Sequence, residues 1–402
     1  MLNKTEVLAL RGRAQAGLRE TLDFFADHAM DPKGGFYGKV DRDLRPVKEA
    51  ERSLVFNARM LWTYAAAYRL LREERYLAVA MHALDYIERC FLDGDYGGGY
   101  WSLRPDGSPA DERKYVYGQS FLIYGGAELF RACGQVRGLR LAKAVYALLE
   151  EHCQDETYGG YFETYDRKWN RLYESFNIPN PQAGSKALNT HLHLIESYTN
   201  LMRVWDDAAL RAKVGQLIEI MSTKLLDLEY FHYKPYMTDN WGTTKSLFSF
   251  GHDIEGAWLL VEAAQAYGDR ARLESCKPIA IRIADACAKG LDPQTGGMYA
   301  ENEEGRIVKD MNWWVQAEAV VGFFNAYELT GEDKYLELMN RVWDYIDQRV
   351  VDREGGVFRE WLSDAALPKE HIKNRYPANG WKTPYHNGRM YMELLERTEK
   401  WL

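Results

Sequence analysis

A short turn motif recurs from one end of the chain to the other and limits the folds that the chain can adopt. Each copy combines an acidic residue with aromatic residues and often a double glycine, as in the run Asp-Pro-Lys-Gly-Gly-Phe-Tyr at residues 31–37. The copies begin at Asp31, Asp95, Asp155, Asp227, Asp292 and Asp352, and the fourth has lost its glycines. They are roughly 60 to 70 residues apart, which leaves room for two helices per repeat. A repeat of this kind can close into a ring.

The segments between the turns have apolar residues at helical spacing, which predicts twelve helices in six pairs. One helix of each pair is amphipathic and ends at the turn, as in residues 141–153 and 335–346. Its partner is more apolar all round, as in residues 252–267 and 313–329. Six apolar inner helices inside six amphipathic outer ones make an all-α (α/α)6 barrel, with the glycine turns as short hairpins at one rim. Because the repeat runs from end to end, we expect residues 1–402 to form one domain.

The composition argues against several classes of partner. The net charge is −8 at pH 7, so we expect no basic surface for nucleic acid or for an anionic membrane. No segment has 18 uninterrupted apolar residues, and the first residues lack the apolar stretch of a signal peptide, which predicts a cytoplasmic protein. The five cysteines have no Cys-x-x-Cys spacing and are expected to be reduced core residues. No dinucleotide fingerprint or phosphate loop is present in the sequence.

Polar residues gather near the predicted start of every inner helix. Equivalent positions of a closed repeat converge on one end of the central axis, so these clusters predict a lined pocket there. The alternative is that each cluster only caps its own helix. The clusters are Asn57-Ala-Arg59, Tyr117-Gly-Gln119, Asn189-Thr-His-Leu-His193, His252-Asp-Ile-Glu255, Trp313-Trp-Val-Gln-Ala-Glu318 and His386-Asn-Gly-Arg389.

Two histidines fall in predicted first turns of inner helices. Ser249 is a candidate N-cap for the helix with His252, and Thr383 followed by Pro384 is a cap with proline at the first helical position for the helix with His386. The positive end of a helix dipole disfavours imidazolium and so favours the neutral form that a general base requires. A buried structural histidine is the alternative interpretation at both positions.

Only one residue of the pair His191 and His193 is expected to face the pocket. Residues two apart on a helix point in different directions, so the pair cannot easily bind one metal ion. His193 lies four residues after Asn189 and shares its face, which favours His193 over His191 without excluding the latter.

Tryptophans stand beside these polar residues at Trp313, Trp314 and Trp381. Flat aromatic faces next to hydrogen-bonding groups suit a sugar ring, although they could line a pocket for another small ligand.

The combined motifs resemble the N-acylglucosamine 2-epimerase superfamily over essentially the whole chain. The residues that carry the resemblance are Phe56-Asn-Ala-Arg59, Asn189-Thr-His-Leu-His193, Gly251-His-Asp-Ile-Glu255, Trp313-Trp314 with Glu318, and Lys382-Thr-Pro-Tyr-His-Asn-Gly-Arg389. Within the superfamily the chain is most similar to the epimerases of β-1,4-linked disaccharides. The resemblance implies an (α/α)6 barrel that inverts C2 of a reducing-end glucose, converting cellobiose to glucosyl-mannose and lactose to epilactose. It implies no metal or nicotinamide cofactor and either a monomer or a homodimer.

The resemblance also implies roles for single residues. His252 and His386 are the acid–base pair that opens the sugar ring and exchanges the C2 proton through a cis-enediolate. His193 and Arg59 stabilise the charge on the enediolate oxygens. The residues implied in substrate binding or orientation are Tyr117, Asn189, Glu255, Trp313, Trp314, Glu318 and Trp381.

Three alternatives remain open on the same sequence. A mannose 2-epimerase, a mannose isomerase or an N-acylglucosamine 2-epimerase would use the same barrel. An (α/α)6 glycoside hydrolase would need two carboxylates and would leave the histidines without a role. A sugar-binding module would not need paired bases. The choice between one and two sugar units is expected to depend on loops at residues 173–182 and 231–236.

Overall fold

The computed structural model describes residues 2–173, 185–243, 246–354, 357–361 and 376–402. Twelve α-helices alternate along this part of the chain between an outer and an inner position. The outer helices are α1 (Lys4–His28), α3 (Glu74–Tyr86), α5 (Val136–His152), α7 (Ala208–Glu219), α9 (Arg270–Ala288) and α11 (Asp333–Tyr345). The inner helices are α2 (Leu54–Leu71), α4 (Val116–Cys133), α6 (Leu188–Met202), α8 (Phe250–Tyr267), α10 (Trp313–Thr330) and α12 (Tyr385–Arg397).

The inner helices form a closed ring. Each one contacts the next along the chain, and α12 contacts α2 to complete the circle. The outer helices pack on the inner ones in the pairs α1 with α12, α3 with α2, α5 with α4, α7 with α6, α9 with α8 and α11 with α10. The predicted (α/α)6 barrel is therefore confirmed.

The two sets of helices differ in burial as the repeat predicts. Helix α10 is buried along almost its whole length, whereas α11 buries one face through residues such as Tyr335, Met339 and Val342. Burying an apolar stripe against an inner neighbour stabilises an outer helix that would be marginal alone. None of the helices described is both long and apolar enough to cross a membrane.

The first five outer helices are each followed by a tight turn built on an aspartate. In the third copy Asp155 accepts a hydrogen bond through its side chain from the backbone of Thr157, and its backbone pairs with Gly160. The second copy is centred on Asp93 and not on Asp95, because Asp93 accepts the corresponding bond from Asp95 and pairs with Gly98. Asp95 also precedes the glycines, and the prediction therefore placed the start of this copy two residues late. Residues 355–356 of the last copy lie outside the described residues.

The glycines of these turns supply a backbone conformation that other residues rarely adopt. Gly159 and Gly160 have φ of +76° and +78°, in the left-handed region. In the fourth copy, which has lost its glycines, Phe231 takes the equivalent place and has φ of +59°. The degenerate copy thus keeps the turn at the cost of local strain.

Short antiparallel strands connect the turns to the inner helices at the same rim. They form the sheets β1-β2-β3, β4-β5-β6, β7-β8, β9-β10-β11 and β12-β13. Their bounds are Arg52–Ser53, Ser102–Leu103, Pro109–Asp111, Lys114–Tyr115, Thr164–Tyr165, Arg171–Leu172, Lys186–Ala187, Tyr236–Met237, Leu247–Ser249, Glu301–Glu303, Arg306–Val308, Val351–Glu354 and Val357–Trp361 for β1 to β13. Strands β1, β4, β7 and β9 each run directly into an inner helix, so they fix where its first turn lies.

Candidate active site

The fourth residue of several inner helices holds the neighbouring hairpin turn. Gln119 of α4 and Gln316 of α10 each exchange two hydrogen bonds with the turn backbone, at Gly99 and at Met298. Asp253 of α8 accepts from the backbone N–H of a turn residue in the same way. These polar side chains are structural, since they satisfy backbone groups that would otherwise be buried without partners.

His191 belongs to this structural set, which separates it from His193. Its Nε2 accepts from the backbone N–H of Tyr161 at 3.0 Å, and its Nδ1 lies 2.8 Å from the carbonyl oxygen of Ala187 and donates to it. Burial lowers the pKa of His191 to about 4, so the ring is neutral with its proton on Nδ1. His193, two residues later, faces the barrel axis, as the sequence favoured.

A cavity of about 360 Å³ opens at this end of the barrel, and we call it the rim cavity. It is formed by the first two turns of the inner helices and by the segment before α12. Among the described residues ten side chains line it, and all ten were predicted as site residues: Arg59, Tyr117, Asn189, His193, His252, Glu255, Trp313, Trp314, Trp381 and His386. The eleventh predicted residue, Glu318, is buried behind His386 and does not line the cavity.

Two histidines contact the same tryptophan in this cavity. The ring centroids of His252 and Trp314 are 4.8 Å apart, and those of His386 and Trp314 are 5.6 Å apart. The first turn of α8 is capped by Ser249, whose hydroxyl accepts from the backbone N–H of His252. Helix α12 starts at Tyr385 with Pro384 as its N-cap, one residue later than the sequence predicted.

The protonation of the histidines is set by burial. Burial lowers the pKa of His252, which Glu255 partly opposes, and it lowers the pKa of His193 and His386 well below the usual range. Arg59 and Arg389 act in the same direction on His193 and His386 through their positive charge. All three imidazoles are therefore neutral at pH 7 and can accept a proton.

Two of these rings are held by carboxylates. The Nδ1 of His386 lies 2.7 Å from an oxygen of Glu318, and the Nδ1 of His193 lies 3.0 Å from an oxygen of Glu196. A carboxylate acceptor at Nδ1 keeps the proton on that nitrogen and leaves Nε2 with a lone pair. Glu196 was not identified from the sequence, although its spacing of three from His193 repeats that of Glu255 from His252.

Arg59 brings a fixed positive charge to the cavity wall. Its guanidinium donates to the hydroxyl of Tyr117 at 2.8 Å and to the carbonyl of Trp381 at 3.3 Å, and it lies over the ring of Phe121. Burial raises the pKa of Tyr117 to about 12, so its hydroxyl stays protonated. Because both groups keep their protons at pH 7, the wall can donate hydrogen bonds to an oxyanion.

A second arginine, Arg389, holds one carboxylate that lines the cavity and one that lies behind it. It donates to Glu255 and to Glu318, and the indole N–H of Trp258 donates to the other oxygen of Glu318 at 3.0 Å. Burial raises the pKa of Glu318, which the charge of Arg389 opposes, and the donors at both of its oxygens, Arg389 and Trp258, favour the carboxylate form. The guanidinium offsets part of the negative charge of these carboxylates.

Of the two loops expected to govern substrate size, only one can be located. Residues 174–182 of the first lie outside the described residues. Residues 231–236 belong to the fourth hairpin turn and the start of β8, and they do not line the rim cavity among the residues described. Trp381, half-exposed, lies at the cavity instead.

Comparison with known proteins gives a consistent family. The model of the family N-acylglucosamine 2-epimerase (GlcNAc 2-epimerase) matches residues 35–387. A cellobiose 2-epimerase of Bacteroides fragilis is 37% identical over 380 residues, which cover 93% of this chain and 95% of that protein. The solved cellobiose 2-epimerase of Bacillus thermoamylovorans B4167 is 35% identical with a TM-score of 0.90, covering 97% of this chain and 99% of that one. A D-mannose isomerase of Marinomonas mediterranea is 23% identical over 398 residues, covering 95% and 96%.

Proposed function

The chain belongs to the N-acylglucosamine 2-epimerase family, and on that premise we propose that it inverts C2 of the reducing-end glucose of β-1,4-linked disaccharides. The observation that carries the proposal is the pair of neutral histidines, His252 and His386, which both line one cavity and both contact Trp314. Inversion at a carbon next to a carbonyl needs a base on each face of that carbon, and this pair supplies two.

The reaction starts with ring opening, which exposes an aldehyde and makes the C2 hydrogen acidic. One imidazole removes this proton as a general base and leaves a planar cis-enediolate. The other imidazole takes up a proton from solvent water and then, as imidazolium, gives it to the opposite face of C2, while the first imidazole releases to solvent the proton that it removed. Ring closure then gives the mannose-configured product. Every proton removed is replaced by one from a histidine, so no oxidant or reductant is consumed.

The enediolate carries negative charge that the cavity wall can stabilise. Arg59 supplies a permanent positive charge and Tyr117 a neutral hydroxyl, and the two are already hydrogen-bonded at 2.8 Å. The positive ends of the inner helix dipoles point towards the same space. His193, fixed through Glu196, presents Nε2 to the cavity and can accept a hydrogen bond there from a hydroxyl of the sugar.

Two kinds of support favour a disaccharide substrate. Trp313 and Trp381 lie at the cavity, where aromatic faces can stack on a sugar ring beyond the reacting unit. Relatives that are 37% and 35% identical to this chain are named cellobiose 2-epimerase. In this proposal Asn189 and Glu255 hold hydroxyl groups of the reducing end.

A mannose isomerase is the second candidate, because a relative with that name matches almost the whole chain. An isomerase would return the proton to C1 and release a ketose, and the same two histidines could serve. A glycoside hydrolase is less compatible with the site. It needs one carboxyl group that gives a proton to the glycosidic oxygen, whereas Glu255 and Glu318 both accept hydrogen bonds from Arg389.

The first experiment is incubation with cellobiose in deuterated water, and separately with mannose, followed by NMR of the C2 proton and chromatography of the products. Glucosyl-mannose with deuterium at C2 is the expected product. An inert disaccharide with active mannose would move the assignment to a monosaccharide enzyme. A ketose product would indicate the isomerase, and free glucose from cellobiose the hydrolase.

The roles of the two histidines are tested by deuterium exchange in single variants. With only one base left, His252→Asn and His386→Asn should each nearly abolish net epimerisation, since a general acid–base group contributes about 10² to 10⁴ in rate. Each variant should still exchange the C2 proton of one epimer, using the small open-chain fraction present in solution. The epimer that exchanges should differ between the two variants. Exchange of both epimers by either variant would contradict the two-base mechanism.

A further inference from the structure

The mechanism above gives no role to Arg389. This buried arginine lies at the centre of three carboxylates. One terminal nitrogen, Nη2, donates to Glu318 at 2.6 Å and to Glu255, while the other, Nη1, donates to Glu196. Its side chain is 1% exposed, as are those of Glu255 and Glu318, and that of Glu196 is 2% exposed. The three carboxylates come from α6, α8 and α10, so one guanidinium on α12 joins four inner helices.

Two of these carboxylates hold a histidine of the rim cavity in place. Glu318 binds Nδ1 of His386 at 2.7 Å, and Glu196 binds Nδ1 of His193 at 3.0 Å. In both pairs the carboxylate that accepts from the imidazole also accepts from Arg389. The orientation of each ring therefore depends on a carboxylate whose own position is fixed by the arginine.

His252 is not held in this way. Glu255 accepts from Arg389, but it makes no hydrogen bond to the ring of His252 within the part of the chain that the structure describes. The ring contacts Trp314, and its first turn is fixed by the cap at Ser249. Arg389 thus acts on His252 only through its charge, and on His386 through a chain of hydrogen bonds.

We propose that Arg389 is a positioning residue for one of the two faces of proton transfer, because it orients His386 through Glu318 while leaving His252 independent. The proposal rests on the proposed function, since it takes His386 and His252 to act on opposite faces of C2. The proposal predicts unequal effects on the two epimers. Loss of the Arg389 guanidinium should slow C2 proton exchange strongly for the epimer whose proton His386 removes, and much less for the other epimer.

The test is the rate of deuterium incorporation at C2, measured for each epimer separately in the variant Arg389→Lys. Lysine keeps the charge but cannot hold carboxylates on two sides through a planar fork. Since a small misplacement of a catalytic group can cost about 100-fold, we expect exchange of the His386-dependent epimer to fall by at least about tenfold more than that of the other. His386→Asn identifies which epimer that is.

A matched control is Arg397→Lys, which changes a second largely buried arginine two turns later on α12. Arg397 pairs with Glu328 and Glu393 and not with a histidine-bound carboxylate, so this variant should leave the ratio of the two exchange rates unchanged. Circular dichroism and a thermal melt show whether each variant is folded. If Arg389→Lys does not fold, the pair Arg389→Gln with Glu196→Gln removes one positive and one negative charge together and is read out in the same way.

Equal slowing of both epimers, or no slowing, would overturn the proposal and leave Arg389 a structural residue. The two proposals fail in different ways. If wild-type protein does not exchange the C2 proton of any sugar, the function is wrong. If it does, and the histidine variants show their complementary pattern while Arg389→Lys keeps the wild-type ratio, only the role of Arg389 is wrong.

Discussion

The two ends of the barrel axis hold cavities of opposite chemical character, although the same six helices build both. The rim cavity is formed by helix N-terminal turns and contains three neutral histidines. At the other end is a cavity of about 590 Å³ formed by the C-terminal halves of the same helices, which we call the basal cavity. None of the side chains that line it in the described part of the chain is a histidine. Helix polarity therefore makes the rim end, where the helix N-termini meet, the one suited to a reaction with an anionic intermediate.

Charge is organised differently at the two ends. Converging N-termini present partial positive charge, which lowers histidine pKa values and favours an anionic intermediate. Converging C-termini present partial negative charge, and arginines and lysines occupy the basal cavity accordingly. There they pair with glutamates, for example Arg69 with Glu128 and Arg397 with Glu328. In the basal cavity, arginines and glutamates therefore neutralise one another. At the rim cavity, the positive charges of Arg59 and Arg389 lower the pKa of two of the histidines.

The largest expected effect separates the two ends by activity. Replacing Arg59 with glutamine removes the fixed charge at the rim cavity and should lower kcat for epimerisation by about 10² to 10³, as for loss of an oxyanion-stabilising donor. Replacing Arg131 with glutamine removes a basal charge that pairs with Glu128 and should leave kcat unchanged. Steady-state kinetics at saturating substrate measures both. A comparable fall in kcat for Arg131→Gln would show that the basal charges also serve the reaction.

The next effect separates the ends by stability. Arg397→Met removes the partner of Glu328 and Glu393 in the basal cavity, and side chains of all three are at most 20% exposed. Leaving buried carboxylates without their arginine should lower the free energy of unfolding by about 3 kcal/mol. Urea denaturation measures this loss. The kcat of the folded fraction should match wild type, and a lower value would contradict the separation of the two ends.

A third prediction concerns a rim histidine that does no chemistry. His191 is buried and neutral with a pKa of about 4, so the unfolded chain, with a pKa near 6.5, takes up a proton at higher pH than the folded one. Its contribution to stability is therefore present above pH 6.5 and is lost as the pH falls towards 4. Between pH 7 and 4.5 this costs about 2 to 3 kcal/mol.

His191→Gln should remove that pH dependence without affecting kcat. Glutamine holds the equivalent hairpin turns at Gln119 and Gln316, so the bond to the Tyr161 backbone can be kept. Urea denaturation at pH 7 and at pH 4.5 gives the two stabilities, with the partly exposed His152→Gln as a control. Unchanged acid sensitivity in His191→Gln would mean that its ring is already protonated in the fold.

The contrast between the ends also shows what the sequence could reveal. The repeat predicts the ring, and the ring brings together residues from the first two turns of its helices, such as Arg59 and His252, so the rim cavity follows from sequence position alone. The separation of His193 from His191 follows from helical spacing. These inferences need only the phase of each residue within its repeat.

Contacts across the axis could not be predicted in that way. The bonds from Arg389 to Glu196 and Glu318 join residues 193 and 71 positions apart, and they depend on how the closed ring packs. The basal cavity is lined by residues near the C-terminal ends of the inner helices. In the sequence these residues look like those of any exposed helix surface, so they do not reveal a cavity. The prediction placed the second turn at Asp95 and not at Asp93, because the turn is defined by its backbone pairing and the glycine pattern does not reveal that pairing.

The smallest expected effect tests whether the burial of a basal ion pair sets its contribution to the free energy of unfolding. Lys400 and Arg397 both bind Glu328, at 2.7 Å and 2.8 Å, but the lysine side chain is 56% exposed and the arginine 17%. Water screens the exposed pair, so Lys400→Met should change the free energy of unfolding by less than about 1 kcal/mol. Because Glu328 keeps Arg397 in this variant, no carboxylate is left without a cation. Urea denaturation of both variants side by side gives the comparison, and an equal loss would mean that Glu328 relies on the two cations together and that burial is not what sets their contribution.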